Sequence, residues 1–117
     1  MMAPSIVLRD GEPRLVLGSA GSARLRGAIL QVVANVVGGG MSVSEAVDAP
    51  RIHVEEGVAH CEDPAVADLL EANGRTVVRF RRRNLYFGGV SAVELLADGS
   101  LAAAGDPRRG GAGVVIP

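Results

Sequence analysis

The sequence predicts a mixed α+β fold, with strands both in hairpins and on either side of helices. Three observations lead to it: aliphatic runs reversed at Asp-Gly dipeptides, apolar residues at helical spacing between recognisable caps, and an interior that must be aliphatic. The chain has 117 residues, 48% of them hydrophobic and 21% charged, a composition suited to one globular domain that buries its own core. Two Phe, one Tyr and no Trp leave Val, Leu, Ile and Ala to fill that core. Sixteen glycines imply frequent turns and close backbone approaches.

"SIVLRDGEPRLVLG" reads as a hairpin, with apolar runs at 5–8 and 15–17 around Asp10-Gly11, a strong reversal signal. Residues 18–22 form a loop of small residues. From Ala23 to about Val37, Leu25, Ile29, Val32, Val33 and Val36 recur at helical spacing. Ala28, Leu30 and Val37 widen the apolar surface, so this helix is expected to be covered on more than one side. Gly38-Gly39-Gly40 ends it, because glycine sustains a helix poorly. A short helix starts at Ser42, where Ser42 and Glu45 have capping-box spacing, and Pro50 closes the segment. "RIHVEEGVAHCE", residues 51–62, sets β-branched residues among polar ones and is expected to be a strand. Asp63 as N-cap, Pro64 at the first helical position and Asn73-Gly74 at the end delimit a third helix. "TVVRF" at 76–80 is a strand, and "GVSAVELLADGSLAAAG" is two strands around Asp98-Gly99. No repeat or linker interrupts residues 1–117, which are expected to form a single block.

The formal net charge is −1, so no global field favours nucleic acid or an acidic partner. Lys is absent and every long basic side chain is Arg, which a GC-rich coding bias explains more simply than guanidinium chemistry. Arg81-Arg82-Arg83 reads as a solvated strand end, since nucleic-acid binding calls for stacking aromatics and a wider basic face. Cys61 is the single cysteine, which excludes an internal disulfide and says little about compartment. No stretch reaches membrane-spanning length without charge, and "MMAPSIVLRDGE" lacks the pattern of a signal peptide, so localisation stays open. His60-Cys61-Glu62-Asp63 suggests a metal cluster at first sight. Neighbours along a strand, however, point to opposite faces, and no second Cys or His stands at zinc-ligand spacing. No metal is expected, and His53 reads as a sheet or interface residue rather than a catalytic base.

"VLGSAGSARLRGAILQVV", residues 16–33, is the stretch with most chemical promise. A P-loop needs Lys followed by Ser or Thr, "GSAGSA" does not fit G-x-G-x-x-G, and G-x-S-x-G is missing. What remains is a row of backbone N–H groups at Gly21, Ser22 and Ala23, at the start of a helix with partial positive charge behind them. The stretch is either an anion or oxyanion site or a tight turn packed by small residues.

Four stretches in order, "MAPSIVLRDGEPRLVLGSAGSARLRGAILQVVANVV", "MSVSEAVDAPRIHVE", "NLYFGGVSAVE" and "GDPRRGGAGVV", resemble the γ-glutamyltransferases (γ-glutamyltranspeptidases), in the C-terminal part of that family's small subunit. Together they span essentially the whole chain. The resemblance implies part of an N-terminal-nucleophile hydrolase αββα sandwich, with a mixed or antiparallel sheet and packed helices. It implies an enzyme whose precursor cleaves itself to expose a Thr that attacks a γ-glutamyl carbonyl, with the Thr α-amino group as base. The γ-glutamyl-enzyme then passes its acyl group to water or to an amino acid or dipeptide. Glutathione would be the usual donor, and no metal or organic cofactor takes part.

In that family a Gly-Gly pair in the matching loop donates N–H groups to the tetrahedral oxyanion. The matching positions are Gly21 and Ser22, which are the candidate catalytic and substrate-binding residues. Serine in the second place keeps the N–H but restricts φ, so the role is expected to survive if the loop needs no positive φ at Ser22. Ser19 and Arg24 are assigned support of the loop. The nucleophilic Thr and the groups that grip the glutamate α-amino group match positions upstream of these residues. A serine pair for the α-carboxylate falls at or just before Met1, where the chain reads Met1-Met2. The chain is therefore expected to supply the oxyanion loop without a nucleophile, to be inactive alone, and to work with the upstream part of the enzyme (the large subunit and the N-terminal half of the small subunit). The alternatives are a non-catalytic remnant acting as an interaction module, which would self-associate when unpartnered, and an independent anion-binding domain centred on Gly21.

Overall fold

The computed structural model describes residues 2–117. In chain order the elements are β1 (Ser5–Arg9), β2 (Glu12–Ala20), α1 (Leu25–Val33), α2 (Val43–Asp48), β3 (Ile52–Glu55), β4 (Val58–Cys61), α3 (Pro64–Ala72), β5 (Thr76–Arg79), β6 (Gly89–Leu95) and β7 (Leu101–Gly105). The strands make a four-stranded antiparallel sheet, β1-β2-β6-β7, and a three-stranded mixed sheet, β3-β4-β5.

Asp10-Gly11 turns β1 back onto β2 with φ of 54 and 84, the paired positive φ whose twist suits a two-residue hairpin. Register partners in an antiparallel pair share a face. Leu15, Leu17 and Ser19 of β2 therefore lie on the same side as Glu94, Ala92 and Val90 of β6. That side meets α1 and α2, whose Ala28, Val32, Val43, Ala46 and Val47 complete an aliphatic core. Among the described residues no layer covers the outer part of the opposite face of the sheet: Ile6 is 62% exposed and Leu101 47%.

The helix expected over 23–37 is one continuous segment of three geometries: a 3₁₀ turn (Ser22–Arg24), α1, and a π-turn (Ala34–Gly38). Gly39 N–H closes the π-turn on the Ala34 carbonyl at 3.0 Å. A Cβ on Gly39 would stand 2.9 Å from the Asn35 carbonyl oxygen, so the glycine run permits this tight exit. The capping box at Ser42 and Glu45 is present with both reciprocal bonds, and Asp63 caps α3 through the Ala65 and Val66 N–H groups.

Residues 51–62 correct the expectation of one strand. They form the hairpin β3–β4, reversed at Glu56-Gly57 with φ of 50 and 79. Glutamate rarely takes the left-handed conformation, so this turn carries no habitual signal. A second correction is smaller: β2 extends through Ala20, taking in the first half of the loop expected at 18–22. α3 links β4 to the parallel β5 and covers one face of the small sheet, where Ala59, Cys61 and Ala67 form a satellite core. Among the described residues no helix is long and apolar enough to cross a membrane.

Candidate active site

β2 runs directly into the turn that starts the α1 segment. Gly21 has φ 128 and ψ 23, Ser22 has φ 56, and the Arg24 N–H closes the turn on the Gly21 carbonyl at 3.2 Å. Among the described residues the N–H groups of Gly21, Ser22 and Ala23 have no internal acceptor, as expected at the start of a helical segment. The loop does place Ser22 at positive φ, against the condition set for its role, but serine adopts that φ here and its N–H stays at the start of the helical segment. The chain reverses between β2 and the helix within two residues, and serine adopts the left-handed conformation there at roughly 1–2 kcal/mol. Ser22 is exposed, so the cost lies in the backbone and not in crowding by the core.

A second glycine from across the fold holds this turn. A Cβ on Gly21 would stand 2.6 Å from Gly88 Cα, and one on Gly88 would stand 2.7 Å from the Ala20 carbonyl oxygen. Two backbones touch with no side chain between them, so the placement of residues 84–89 sets the placement of the turn. Buried Ser19 lies along the same contact, its hydroxyl donating to the Ala20 carbonyl at 2.9 Å.

Residues 84–90 are pinned by a buried cluster of four charges. Glu62 Oε1 accepts from the Asn84 N–H at 2.9 Å, Asp106 Oδ2 accepts from the Val90 N–H at 3.1 Å, and Arg51 Nη1 donates to the Phe87 carbonyl at 3.2 Å. Arg51 Nη1 pairs with Asp106 Oδ2 at 2.7 Å. Arg108 forks onto both oxygens of Glu62, reaches Asp106 Oδ1 at 3.3 Å, and donates to the Val47 and Ala49 carbonyls at 2.9 Å each. All four side chains are buried. Burial by itself would raise the Glu62 carboxyl, but Arg108 and the Arg51 and Asn84 N–H groups outweigh it and hold the group below its ordinary value. Asp106 behaves alike: burial pushes it up, while the Val90 N–H and Arg51 bring it below the usual carboxylate range. No local spacing joins positions 51, 62, 106 and 108, and the sequence alone assigns none of them a role. Arg51, Asp106 and Arg108 fall within two of the four family-like stretches, which is the signal available for them, and Glu62 falls outside all four.

In front of the turn lies a cleft of about 570 Å³, walled in part by Gly21, Ser22, Arg24, Phe80, Tyr86 and Arg109. The Arg24 guanidinium carbon lies 4.3 Å from the centre of the Tyr86 ring, a cation–π contact. Its Nε is buried without an acceptor. Arg24 thus joins the turn through its backbone N–H, while its side chain belongs to the cleft. Tyr86 stacks on Phe80 at 5.2 Å, lies 4.9 Å from the His60 ring, and meets Phe87 edge-on at 5.1 Å. Every ring in the chain, both histidines included, falls in this one cluster.

His53 sits in β3 opposite His60, the sheet position expected for it. Burial pushes its pKa below the ordinary value against the pull of Glu55. The tetrapeptide 60–63 is dispersed: His60 joins the rings, Cys61 the satellite core, Glu62 the charge cluster, and Asp63 caps α3. Arg83 is exposed and lies 3.7 Å from Asp48, while Arg81 and Arg82 are also exposed. The only threonine, Thr76, is exposed at the start of β5 and is not a wall of the cleft.

A two-layer arrangement of helices on one antiparallel sheet, open on its far face, defines a partial sandwich. The γ-glutamyltranspeptidase family model matches residues 1–116, and the chain belongs to that family. It is 38% identical over 118 residues to the acylase ACY 1 proenzyme of Pseudomonas sp. (strain SE83), covering 98% of this chain and 21% of that protein. It is 36% identical over 116 residues to the glutathione hydrolase proenzyme of Escherichia coli (strain K12), covering 92% of this chain and 19% of that protein. The γ-glutamyltranspeptidase of Pseudomonas nitroreducens complexed with L-DON matches with a TM-score of 0.83 at 34% identity, over 99% of this chain and 62% of that one. The fold is accordingly α+β and of the N-terminal-nucleophile hydrolase type. The chain spans about a fifth of the length of these curated relatives.

Proposed function

We propose that these residues form the oxyanion-binding part of an enzyme that hydrolyses or transfers the γ-glutamyl group of glutathione and related compounds. The observation that carries this is the turn at Gly21 and Ser22. Its N–H groups lack an internal acceptor, open a helical segment and border a cleft. A hydroxyl nucleophile adds to the γ-carbonyl carbon and its proton passes to the nucleophile's own α-amino group. The carbonyl oxygen becomes an anion and is received by the Gly21 and Ser22 N–H groups. Collapse of the intermediate expels the amine, which takes up the proton, and water or an acceptor amine then cleaves the acyl-enzyme. Removing one such donor typically lowers kcat about 10²–10³-fold.

The nucleophile is proposed to come from outside these residues, since Thr76 lies on the small sheet away from the turn. The partner is the remainder of the enzyme, seated on the bare face of the four-stranded sheet. No metal or organic cofactor enters the scheme. The isolated chain is expected to release no chromogenic amine from a γ-glutamyl anilide, and release by the chain alone would overturn the external nucleophile. In the enzyme completed by its upstream part, replacing the Ser22 amide with an ester removes the N–H while keeping the side chain and φ. Proline would fix φ near −65° and confound the result. The ester is expected to lower kcat about 10²–10³-fold with little change in KM, and an unchanged kcat removes Ser22 from the role.

The exposed aliphatic residues of the bare face also favour a second reading, a non-catalytic module whose business is that interface. It predicts complex formation with the upstream part but no turnover.

A further inference from the structure

Two inward-facing histidines take no part in the proposed acyl transfer. His53 of β3 and His60 of β4 are register partners, so both rings stand on one face of the hairpin. Their centres lie 6.4 Å apart. Both pack on Tyr86, at 6.3 Å for His53 and 4.9 Å for His60, and Tyr86 is a wall of the cleft in front of the turn. Each imidazole keeps one buried nitrogen, Nε2 of His53 and Nδ1 of His60, with no hydrogen-bond partner among the described residues. A neutral imidazole has one donor and one acceptor nitrogen, whereas the imidazolium has two donors. Protonation therefore adds a charge and a donor where neither is answered.

The surroundings make that charge costly. Arg24 and Arg26 approach from the helical segment, Tyr86 faces both rings, and Val78 and Phe80 on the side of β5 carry no charge. The acid that faces the pair is Glu55 of β3. Its Oε2 lies 3.7 Å from His53 Nε2, too far for a hydrogen bond, and its side chain is 39% exposed. Burial first, then His60, Arg24 and Arg26, push the His53 pKa below its ordinary value against the pull of Glu55. The packed arrangement thus binds fewer protons than one in which the rings are free. Its stability is complete above the ordinary histidine value, about pH 6.5, and is lost as pH falls from there through the lowered one. The hairpin also has a fixed end and a free one. Gln31 of α1 accepts from the Ile52 N–H at 3.1 Å and donates to the Ile52 carbonyl at 2.6 Å, as a neighbouring strand would, while the Glu56-Gly57 end is exposed. We propose that the β3–β4 hairpin is an acid-sensitive latch on the aromatic wall of the cleft, seated on Tyr86 while His53 and His60 are neutral and released when they take up protons. Tyr86 belongs to the segment whose Gly88 touches Gly21, so release loosens the support of the turn. The latch rests on the fold and not on the γ-glutamyl reading.

Tyr86 is the only tyrosine and Trp is absent, so tyrosine emission reports on the latch. The full chain is titrated from about pH 8 to about pH 5, across the histidine range, with acrylamide quenching of that emission measured at each pH. The accessibility of Tyr86 is expected to rise below about pH 6.5, the ratio of released to seated hairpin growing by up to about tenfold per pH unit for each proton taken up. His53→Phe and His60→Phe each keep a ring and remove a site of protonation. Each should shrink the pH dependence, and the double variant should abolish it. Urea midpoints show which variants fold, and either single variant decides the matter if the others do not. Constant accessibility across the range overturns the latch, as does a rise that survives undiminished in either single variant. An emission change without a gain in accessibility is quenching by a nearby charge and also overturns it. None of these outcomes bears on γ-glutamyl turnover, which the anilide assay reads separately.

Discussion

The aliphatic layer between the large sheet and its helices, and the charge cluster beside it, are both fully buried but are built from opposite chemistry. Leu15, Val32, Val36 and Val90 meet without any directional bond, so their contribution grows with the apolar area removed from water. Arg51, Glu62, Asp106 and Arg108 bury little apolar surface, and each is bonded to backbone groups of another segment. The first interior makes the chain compact. The second fixes where residues 84–90 lie, and through Gly88 it fixes the turn at Gly21.

The comparison is broken most sharply at Glu62. Glu62→Ala leaves Arg108 buried without its main partner and is expected to cost about 3–5 kcal/mol, read from the urea midpoint. Acid should reach the same cluster. The folded chain holds Glu62 and Asp106 below their ordinary values, so the unfolded chain binds more protons as pH falls. Their contribution is therefore complete above the ordinary carboxylate range, about pH 4–5, and is lost as pH falls from there through the lowered values of the folded chain. Glu62→Ala should flatten that acid limb, and an unchanged limb would assign the acid sensitivity elsewhere. On the aliphatic side, Leu15→Ala is expected to cost about 3 kcal/mol by lost burial and a residual cavity, with the acid limb unaltered. Ser22→Gly relieves the left-handed serine and should stabilise the fold by up to about 1 kcal/mol, with kcat of the completed enzyme not lowered. Smallest of all, Arg79→Ala breaks exposed pairs with Asp68 and Glu71 and should leave the midpoint where it is.

What could be read in the sequence follows the range of the physics involved. Asp10-Gly11, the Ser42–Glu45 box, Asp63-Pro64 and the apolar period of 25–36 act over a few residues, and each appears where expected. The Glu56-Gly57 reversal was hidden because glutamate is an unusual residue at positive φ. The charge cluster and the ring cluster were hidden because their members are scattered along the chain and meet only after the sheets form. Gly21 and Ser22 were reached through four ordered motifs that match a family, and backbone propensity alone left them between a site and a simple turn. The turn at Gly21 is held by contact with Gly88, which lies 67 positions away in a segment with no pairing signal of its own.

That contact has a consequence for how such sites are found. Gly21 and Gly88 touch backbone to backbone, and both sit at positive φ, so each position admits little but glycine. A pair that cannot vary cannot covary, and substitution patterns across relatives will be silent on one of the contacts that most directly shapes the turn. Deep mutational scanning should show the two positions as isolated sites of intolerance, with no second-site suppressor at either one for a change at the other.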